Sequence, residues 1–112
     1  MRRGQIWWAT AGEPSGSGPG YRRPAIIISA NEFNESAINT VIVAFVTTSM
    51  ARRDDPGVVR IAARSTGLPE TSYANFAQLY TVDRRVLQRQ IGRVPDQLMT
   101  TMDDTLRRVL AL

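Results

Sequence analysis

Short runs of β-branched and aromatic residues alternate along this chain with polar stretches rich in glycine and proline, a pattern that predicts β-strands joined by loops. The run at 40–46 (TVIVAFV) is the strongest strand in the sequence. The continuous apolar run at 25–29 (AIIIS) indicates a strand that is buried on both faces or lies at an interface. Further strands are expected at 4–10, 58–62 and 73–79, with weaker ones at 80–83 and 89–94.

Polar segments separate these strands. Residues 11–20 hold four glycines, two prolines and two serines, and they carry too little apolar surface to be buried, so an exposed loop is expected there. Residues 31–37 suit a turn or one helical turn, and 51–57 form a polar loop. A turn at 67–69 (GLP) separates the strands on either side of it.

The end of the chain predicts one helix. It begins at Pro95 and Asp96, because proline and an acidic residue are favoured in the first helical turn. Arg107 and Arg108 in its last turns complement the helix dipole. The elements together predict a mainly β fold, a small, mostly antiparallel barrel closed by this helix, in one domain over 1–112. The apolar positions of the helix follow the spacing of one face and are Leu98, Met99, Met102, Leu106, Val109 and Leu110.

Length and composition restrict the class of protein. The chain has 112 residues, enough for one domain, and 43% of them are hydrophobic, enough for one core. Cysteine is absent, which excludes disulfides and thiolate chemistry and fits a cytosolic setting. No apolar run reaches the roughly 18–20 residues needed to cross a bilayer, and the N-terminus does not read as a secretory signal. We therefore expect a cytoplasmic protein with no membrane partner.

Two further absences narrow the chemistry. Without histidine the chain cannot use paired imidazoles or a histidine-dependent triad, and without lysine it cannot form a Schiff base. All 14 basic residues are arginine, and the net charge of +4 favours an anionic partner such as nucleic acid. Genome composition and solubility would explain the same bias. The adjacent carboxylates Asp103 and Asp104 diverge by about 100° on the predicted helix, so we expect no metal.

Five segments, in chain order, resemble the family of MazF and PemK toxins. The first resembles the RRGEIW opening of the family, the second its RRPALVIS strand, and the third its third strand, which ends in a threonine. The last two resemble its TIDKxRL and IGxL segments. In this chain they are residues 2–7 (RRGQIW), 22–29 (RRPAIIIS), 39–49 (NTVIVAFVTTS), 81–87 (TVDRRVL) and 91–94 (IGRV).

This resemblance implies an SH3-like barrel of the type shared with CcdB, assembled as a homodimer. It implies a sequence-specific endoribonuclease that cuts single-stranded RNA, including mRNA, without metal or cofactor. The 2′-hydroxyl of the RNA is then the nucleophile, and the products carry a 2′,3′-cyclic phosphate and a 5′-hydroxyl. A MazE-like antitoxin with an acidic tail is implied as the partner that silences the toxin.

The resemblance places the catalytic arginine at Arg23 and the catalytic threonine at Thr47. Pro24 holds the backbone extended at Arg23, and a guanidinium can donate to phosphate oxygens as negative charge builds on them. The alternative for Arg23 is a solvated side chain flanking a strand. Thr47 can donate one hydrogen bond to the phosphate, although threonine is also common at strand ends for no catalytic reason.

A second set of residues is expected to contact RNA without taking part in the reaction. Arg22 should point away from Arg23 because side chains alternate along a strand, so we expect a phosphate contact or plain solvation there. The charges at 52–55 (RRDD) either pair with one another or offer their arginines to phosphates. Gln78 matches a glutamine of the family's fifth strand. The full expected RNA-binding set is Tyr21, Arg22, Thr48, Ser49, Arg52, Arg53 and Gln78.

The chain departs from the family pattern at two acidic positions. Gly18 and Ala77 stand where many relatives carry a carboxylate. Water, a hydroxyl or Glu13 would then have to accept the proton of the 2′-hydroxyl. These departures leave open a catalytically inactive member of the family, and the shared barrel leaves open a CcdB-like protein that binds DNA gyrase. The RNA sequence that would be recognised is not predicted.

The aromatic residues divide between two expected roles. Phe45 and Phe76 are expected in the core. Trp7 and Trp8 are adjacent, so one of them must point away from the other, and either could stack on an unpaired base. Tyr21, next to the arginine pair, is expected to contact RNA.

Overall fold

The structure is a computed structural model, and it describes residues 1–10 and 22–112. The exposed loop expected at 11–20 lies outside the described residues, as do Tyr21, Glu13 and Gly18. In the described ranges, no helix is both long and apolar enough to cross a membrane. The elements are β1 (Gln5–Thr10), β2 (Arg22–Ile27), α1 (Asn31–Asn34), β3 (Thr40–Thr47), β4 (Val58–Ile61), β5 (Ser72–Asp83), a short 3₁₀ turn (Arg84–Val86), β6 (Leu87–Arg93) and α2 (Asp96–Leu110).

The six strands form one antiparallel sheet in the order β4-β5-β3-β2-β1-β6. The sheet curls so far that its two ends approach one another. An ideal Cβ at Gly92 in β6 would lie 2.0 Å from the carbonyl oxygen of Thr66, in the turn that follows β4. The mainly β, barrel-like fold with a C-terminal helix is therefore confirmed.

The central strands are buried on both faces, as the apolar run at 25–29 predicts. On one face, Ile26 and Ala44 pack with Phe76 and with Met102 and Leu106 of α2. The other face carries a second cluster of buried residues from four strands, namely Ala9, Ala25, Ile27, Val41, Val43 and Leu87.

Two elements differ from the sequence-based expectation. The segments 73–79 and 80–83 belong to one long strand, β5, and not to two. In α2, Val109 and Leu110 are 39% and 51% exposed although they continue the apolar stripe. Leu106 is the last residue of this stripe that packs in the core cluster, and the last turn of the helix lies outside that cluster.

Arginine side chains form ion pairs with carboxylates of α2 and with the carboxylate at the end of β5. Asp103 lies 2.8 Å from the guanidinium of Arg3, and Asp104 lies 3.0 Å from that of Arg107. At the end of β5, the side chain and the backbone N–H of Arg85 both donate to Asp83 and lower the pKa of its carboxyl.

The close approach at Gly92 supplies a test of the curled sheet. Gly92→Ala should reduce the free energy of unfolding by about 1–3 kcal/mol or more, because the new methyl group must displace the Thr66 backbone. Urea denaturation measures this change. Gln97→Ala, an exposed position on α2, is the control and should stay within about 0.5 kcal/mol of the wild type. Equal stability of Gly92→Ala and the wild type would show that the two ends of the sheet do not meet.

Candidate active site

A cavity of about 270 Å³ opens where the ends of β2 and β3 meet β5; we call it the Arg23 cavity. It brings together five of the side chains that the sequence singles out, although they come from three strands and the loop after β3. They are Arg23, Thr47, Ser49, Arg52 and Gln78.

The pairing of β2 with β3 places Arg23 and Thr47. Ala25 lies opposite Phe45 in this antiparallel pair, and the same register carried two residues further brings Arg23 beside Thr47. The Oγ1 atom of Thr47 accepts the backbone N–H of Ser49 at 3.1 Å. That bond orients the hydroxyl and leaves its proton to be donated elsewhere.

Arg23 lies over an aromatic pair at the wall of the cavity. Its Cζ atom is 5.8 Å from the ring centroid of Phe45, within the range of a cation–π interaction. The rings of Phe45 and Tyr80 meet edge to face, with centroids 5.2 Å apart and an interplanar angle of 61°. Phe76 is buried in the core as predicted, whereas Phe45 packs against the core on one side and lines the cavity on the other.

A large irregularity in β5 turns its polar side chains toward the same cavity. Ala44 pairs with Leu79 and Val46 with Ala74, so five steps along β5 match two along β3, which leaves three extra residues in β5. The side chain of Asn75 accepts the N–H of Ala77 at 3.0 Å inside this bulge. Bulges of this kind commonly re-aim side chains next to active sites, and here both Asn75 and Gln78 line the cavity.

The other predicted residues that the structure describes, Arg22, Thr48 and Arg53, do not line the Arg23 cavity. Arg22 and Thr48 line a neighbouring cavity, described below, and do not enter the Arg23 cavity. Arg53 stays within its own loop, where it donates to the carbonyl oxygen of Met50 at 3.1 Å. Arg52 lies 3.3 Å from Asp55 and also lines the Arg23 cavity, so the 52–55 loop is partly self-paired.

Three polar or aromatic residues of the lining were not predicted from the sequence, namely Tyr73, Asn75 and Tyr80. The only signal for them is a polar, aromatic strand, and the extra residues in β5 break the alternation that would show which of its side chains share a face. Two arginines and no carboxylate stand in the described part of the lining, which makes the cavity attractive to an anion. Within residues 1–10 and 22–112, no group of three or more His, Cys, Asp and Glu side chains could hold a metal ion.

Comparison with known proteins gives one consistent result. A family model described as "PemK-like, MazF-like toxin of type II toxin-antitoxin system" matches residues 2–110. The chain is 41% identical over 112 residues to Endoribonuclease MazF6 of Mycobacterium tuberculosis, covering 100% of this chain and 98% of that one. It is 30% identical to Endoribonuclease EndoA of Bacillus subtilis, covering 100% and 96%.

Solved structures agree with the sequence comparison. A mycobacterial endoribonuclease in complex with its cognate antitoxin superimposes with a TM-score of 0.78 and 26% identity. The match covers 100% of this chain and 96% of that one.

The bulge in β5 can be tested at Gly57, whose φ of +88° is one that L side chains rarely adopt. Its carbonyl accepts the N–H of Phe76 at 2.8 Å, and a Cβ there would lie 3.0 Å from the Cβ of Ala77. Gly57→Ala should cost about 1–2 kcal/mol of folding free energy and shift the amide NMR signals of Ala77 and Gln78.

Ser65 provides the matched control, because its φ of +69° is also positive but it does not line the Arg23 cavity. Ser65→Gly should not lower stability and should leave the Gln78 amide signal in place. If Gly57→Ala leaves the signals of Ala77 and Gln78 unmoved, the bulge is not held by the contact with Gly57.

Proposed function

Because this chain belongs to the family of PemK-like, MazF-like toxins of type II toxin–antitoxin systems, we propose that it cuts single-stranded RNA in the Arg23 cavity. It is an endoribonuclease of the MazF type, as its relatives of 41% and 30% identity are. The observation that supports this site is the meeting of Arg23 and Thr47 in one cavity whose described lining holds two arginines and no carboxylate.

The proposed reaction is an attack within the RNA chain. The 2′-oxygen of one ribose forms a bond to the adjacent phosphorus, and the bond from phosphorus to the 5′-oxygen of the next nucleotide breaks. The proton of the 2′-hydroxyl passes to water, and the leaving 5′-oxygen takes a proton from water. The products are a 2′,3′-cyclic phosphate and a 5′-hydroxyl, and no metal enters any step.

Arg23 stabilises the negative charge that builds on the phosphate oxygens as the phosphorus becomes five-coordinate. Its planar guanidinium can donate two parallel hydrogen bonds to those oxygens, and a preorganised donor of this kind acts most strongly on the transition state. Phe45 restrains the guanidinium from one side. Thr47 donates one further hydrogen bond to the same phosphate.

Other lining residues bind the RNA on either side of the reacting phosphate. Arg52 offers a second cation to the backbone, and Ser49 and Gln78 offer polar groups to bases or sugars. The ring of Tyr80, 43% exposed, offers a surface on which an unpaired base can stack.

Membership of this family also supports proposals about the partners and the cellular location of the protein. A mycobacterial endoribonuclease with this fold has been solved with its cognate antitoxin, and we propose a MazE-like antitoxin for this chain. We also propose that the toxin acts as a homodimer in the cytoplasm, where mRNA is available to it. The relatives named as endoribonucleases favour RNA cleavage over binding to gyrase.

Arg23 is tested by cleavage of a long single-stranded transcript in the presence of EDTA. The wild type should cut it and leave cyclic phosphate and 5′-hydroxyl ends, identified by mass spectrometry. Arg23→Ala should reduce the rate by about 10²–10³-fold, the usual cost of losing one oriented donor to a developing anion. Arg23→Lys keeps the charge without the planar fork and should recover only part of the rate.

The matched control is Arg107→Ala, which removes the same charge from the exposed face of α2 and should cut at the wild-type rate. Thr47→Val, which keeps the shape of the side chain, should lose less than Arg23→Ala because it removes a single neutral donor. Equal rates for the wild type and Arg23→Ala would rule out the assignment of Arg23. Intact RNA with the wild-type protein would point to the inactive or gyrase-binding alternatives.

The proton acceptor is tested separately at Glu13, the carboxylate nearest in the sequence to the expected acidic position at Gly18. With water as the acceptor, Glu13→Gln should keep the wild-type dependence of the cleavage rate on pH between about 4 and 9. If the variant loses a limb with a midpoint near the ordinary carboxyl pKa of about 4.3, Glu13 is the base and water is not.

A further inference from the structure

A second cavity lies on the other face of the strand ends that carry Arg23 and Thr47. We call it the Trp8 cavity; its volume is about 260 Å³. It exists because consecutive side chains of a strand point to opposite faces. Arg23 turns toward Phe45, while Arg22 turns toward Trp8 on the neighbouring strand β1.

The two cavities share part of their walls. Arg23 and Thr47 line both of them. A polynucleotide whose reacting phosphate lies at these two residues can therefore place one flanking nucleotide on the Phe45 side and the other on the Trp8 side. The Trp8 cavity is within reach of the nucleotide next to the cleaved bond.

The lining of the Trp8 cavity has the chemistry of a base-binding site. The Cζ atom of Arg22 lies over the ring of Trp8, 5.1 Å from its centroid, so the guanidinium covers one face of the indole and the ring supports it from behind. Proteins hold unpaired bases by stacking them on aromatic rings and on arginine. Pro24, Pro69 and Val46 add apolar walls, and the exposed Thr48 adds a hydroxyl that can bond to a base edge.

Size and charge favour the same occupant. The cavity is slightly smaller than the range of about 300–1,000 Å³ typical of sites for drug-sized ligands, which suits a single flat base. Its described lining includes two arginines and no carboxylate, so the phosphate that follows the base is attracted and not repelled.

We propose that the Trp8 cavity is a second base-binding subsite, in which the base of an unpaired nucleotide adjacent to the cleaved phosphate stacks on the guanidinium–indole pair formed by Arg22 and Trp8. This subsite rests on the proposed function, because it uses the phosphate position at Arg23 and Thr47. The RNA then crosses the rim formed by the ends of β2 and β3, with one base read on each face of the sheet.

The decisive experiment combines protein variants with RNA that lacks single bases. The cleavage site is first mapped on a long transcript, and short oligonucleotides spanning it are then made with one abasic position at a time. With the wild type, removal of the base at one position next to the cleaved bond should lower kcat/KM by about 5- to 150-fold, the usual worth of one stacked base. Trp8→Leu should show a loss of the same size on intact RNA and no further loss from that abasic position.

Conservative variants distinguish a loss of base stacking from a loss of packing within the protein. Trp8→Phe keeps an aromatic face and should retain most of the activity and its sensitivity to the abasic position. Arg22→Gln changes an exposed residue and leaves Trp8 in place, so it keeps the test valid if Trp8→Leu does not fold. It should lower kcat/KM and weaken the sensitivity to the abasic position. Wild-type kcat/KM in both Trp8→Leu and Arg22→Gln would overturn the proposal.

A binding measurement separates failure of the subsite from failure of the proposed function. Trp7 lies in the second core cluster and outside the Trp8 cavity, so Trp7→Phe leaves Trp8 as the sole tryptophan and should cleave like the wild type. Its fluorescence should be quenched by an oligonucleotide with a 2′-deoxyribose at the cleaved position, and much less by the same oligonucleotide with the abasic site. Cleavage without quenching would refute the subsite alone, whereas absence of cleavage by the wild type would refute the proposed function.

Discussion

β2 and β3 pair through residues whose side chains are buried on both faces of the sheet. A slip of one residue in either strand would move every side chain of that strand to the opposite face, where the space is already filled. The pairing therefore has one register, and this register fixes the directions of the side chains at the strand ends. The packing of buried residues such as Ile26, Ala44 and Val43 therefore separates Arg22 and Arg23 onto two faces and brings Thr47 beside Arg23.

The elements with strong local signals were predictable from the sequence. The apolar runs at 25–29 and 40–46 predicted the strands β2 and β3, and α2 begins at Asp96 directly after Pro95, as the start signals indicate. The family resemblance predicts Arg23 and Thr47 as catalytic residues, and the end of β3 alone does not distinguish Thr47 from Thr48. The structure then brought Arg23 and Thr47 together with Ser49, Arg52 and Gln78 in one cavity.

The rest of the site depends on features that no local pattern encodes. The three extra residues in β5 shift its alternation, so the sequence alone could not tell which of Tyr73, Asn75 and Tyr80 face the cavity. The partnership of Arg22 with Trp8 joins two strands that are separated in the sequence by residues 11–21, and only the pairing of β1 with β2 reveals it. The double role of Phe45, as part of the core and as a support for Arg23, needs the same tertiary information.

The reliance on arginine has a consequence for how this protein responds to its surroundings. Each ion pair in the described part of the chain joins a carboxylate to a guanidinium, and guanidinium groups stay protonated at every physiological pH. Histidine and cysteine, the side chains whose ordinary pKa values lie nearest to neutral pH, are absent from the chain. The electrostatic attraction for a polyanion is therefore nearly constant around neutral pH. Ionic strength, which screens such attraction directly, is the variable that would tune it inside a cell.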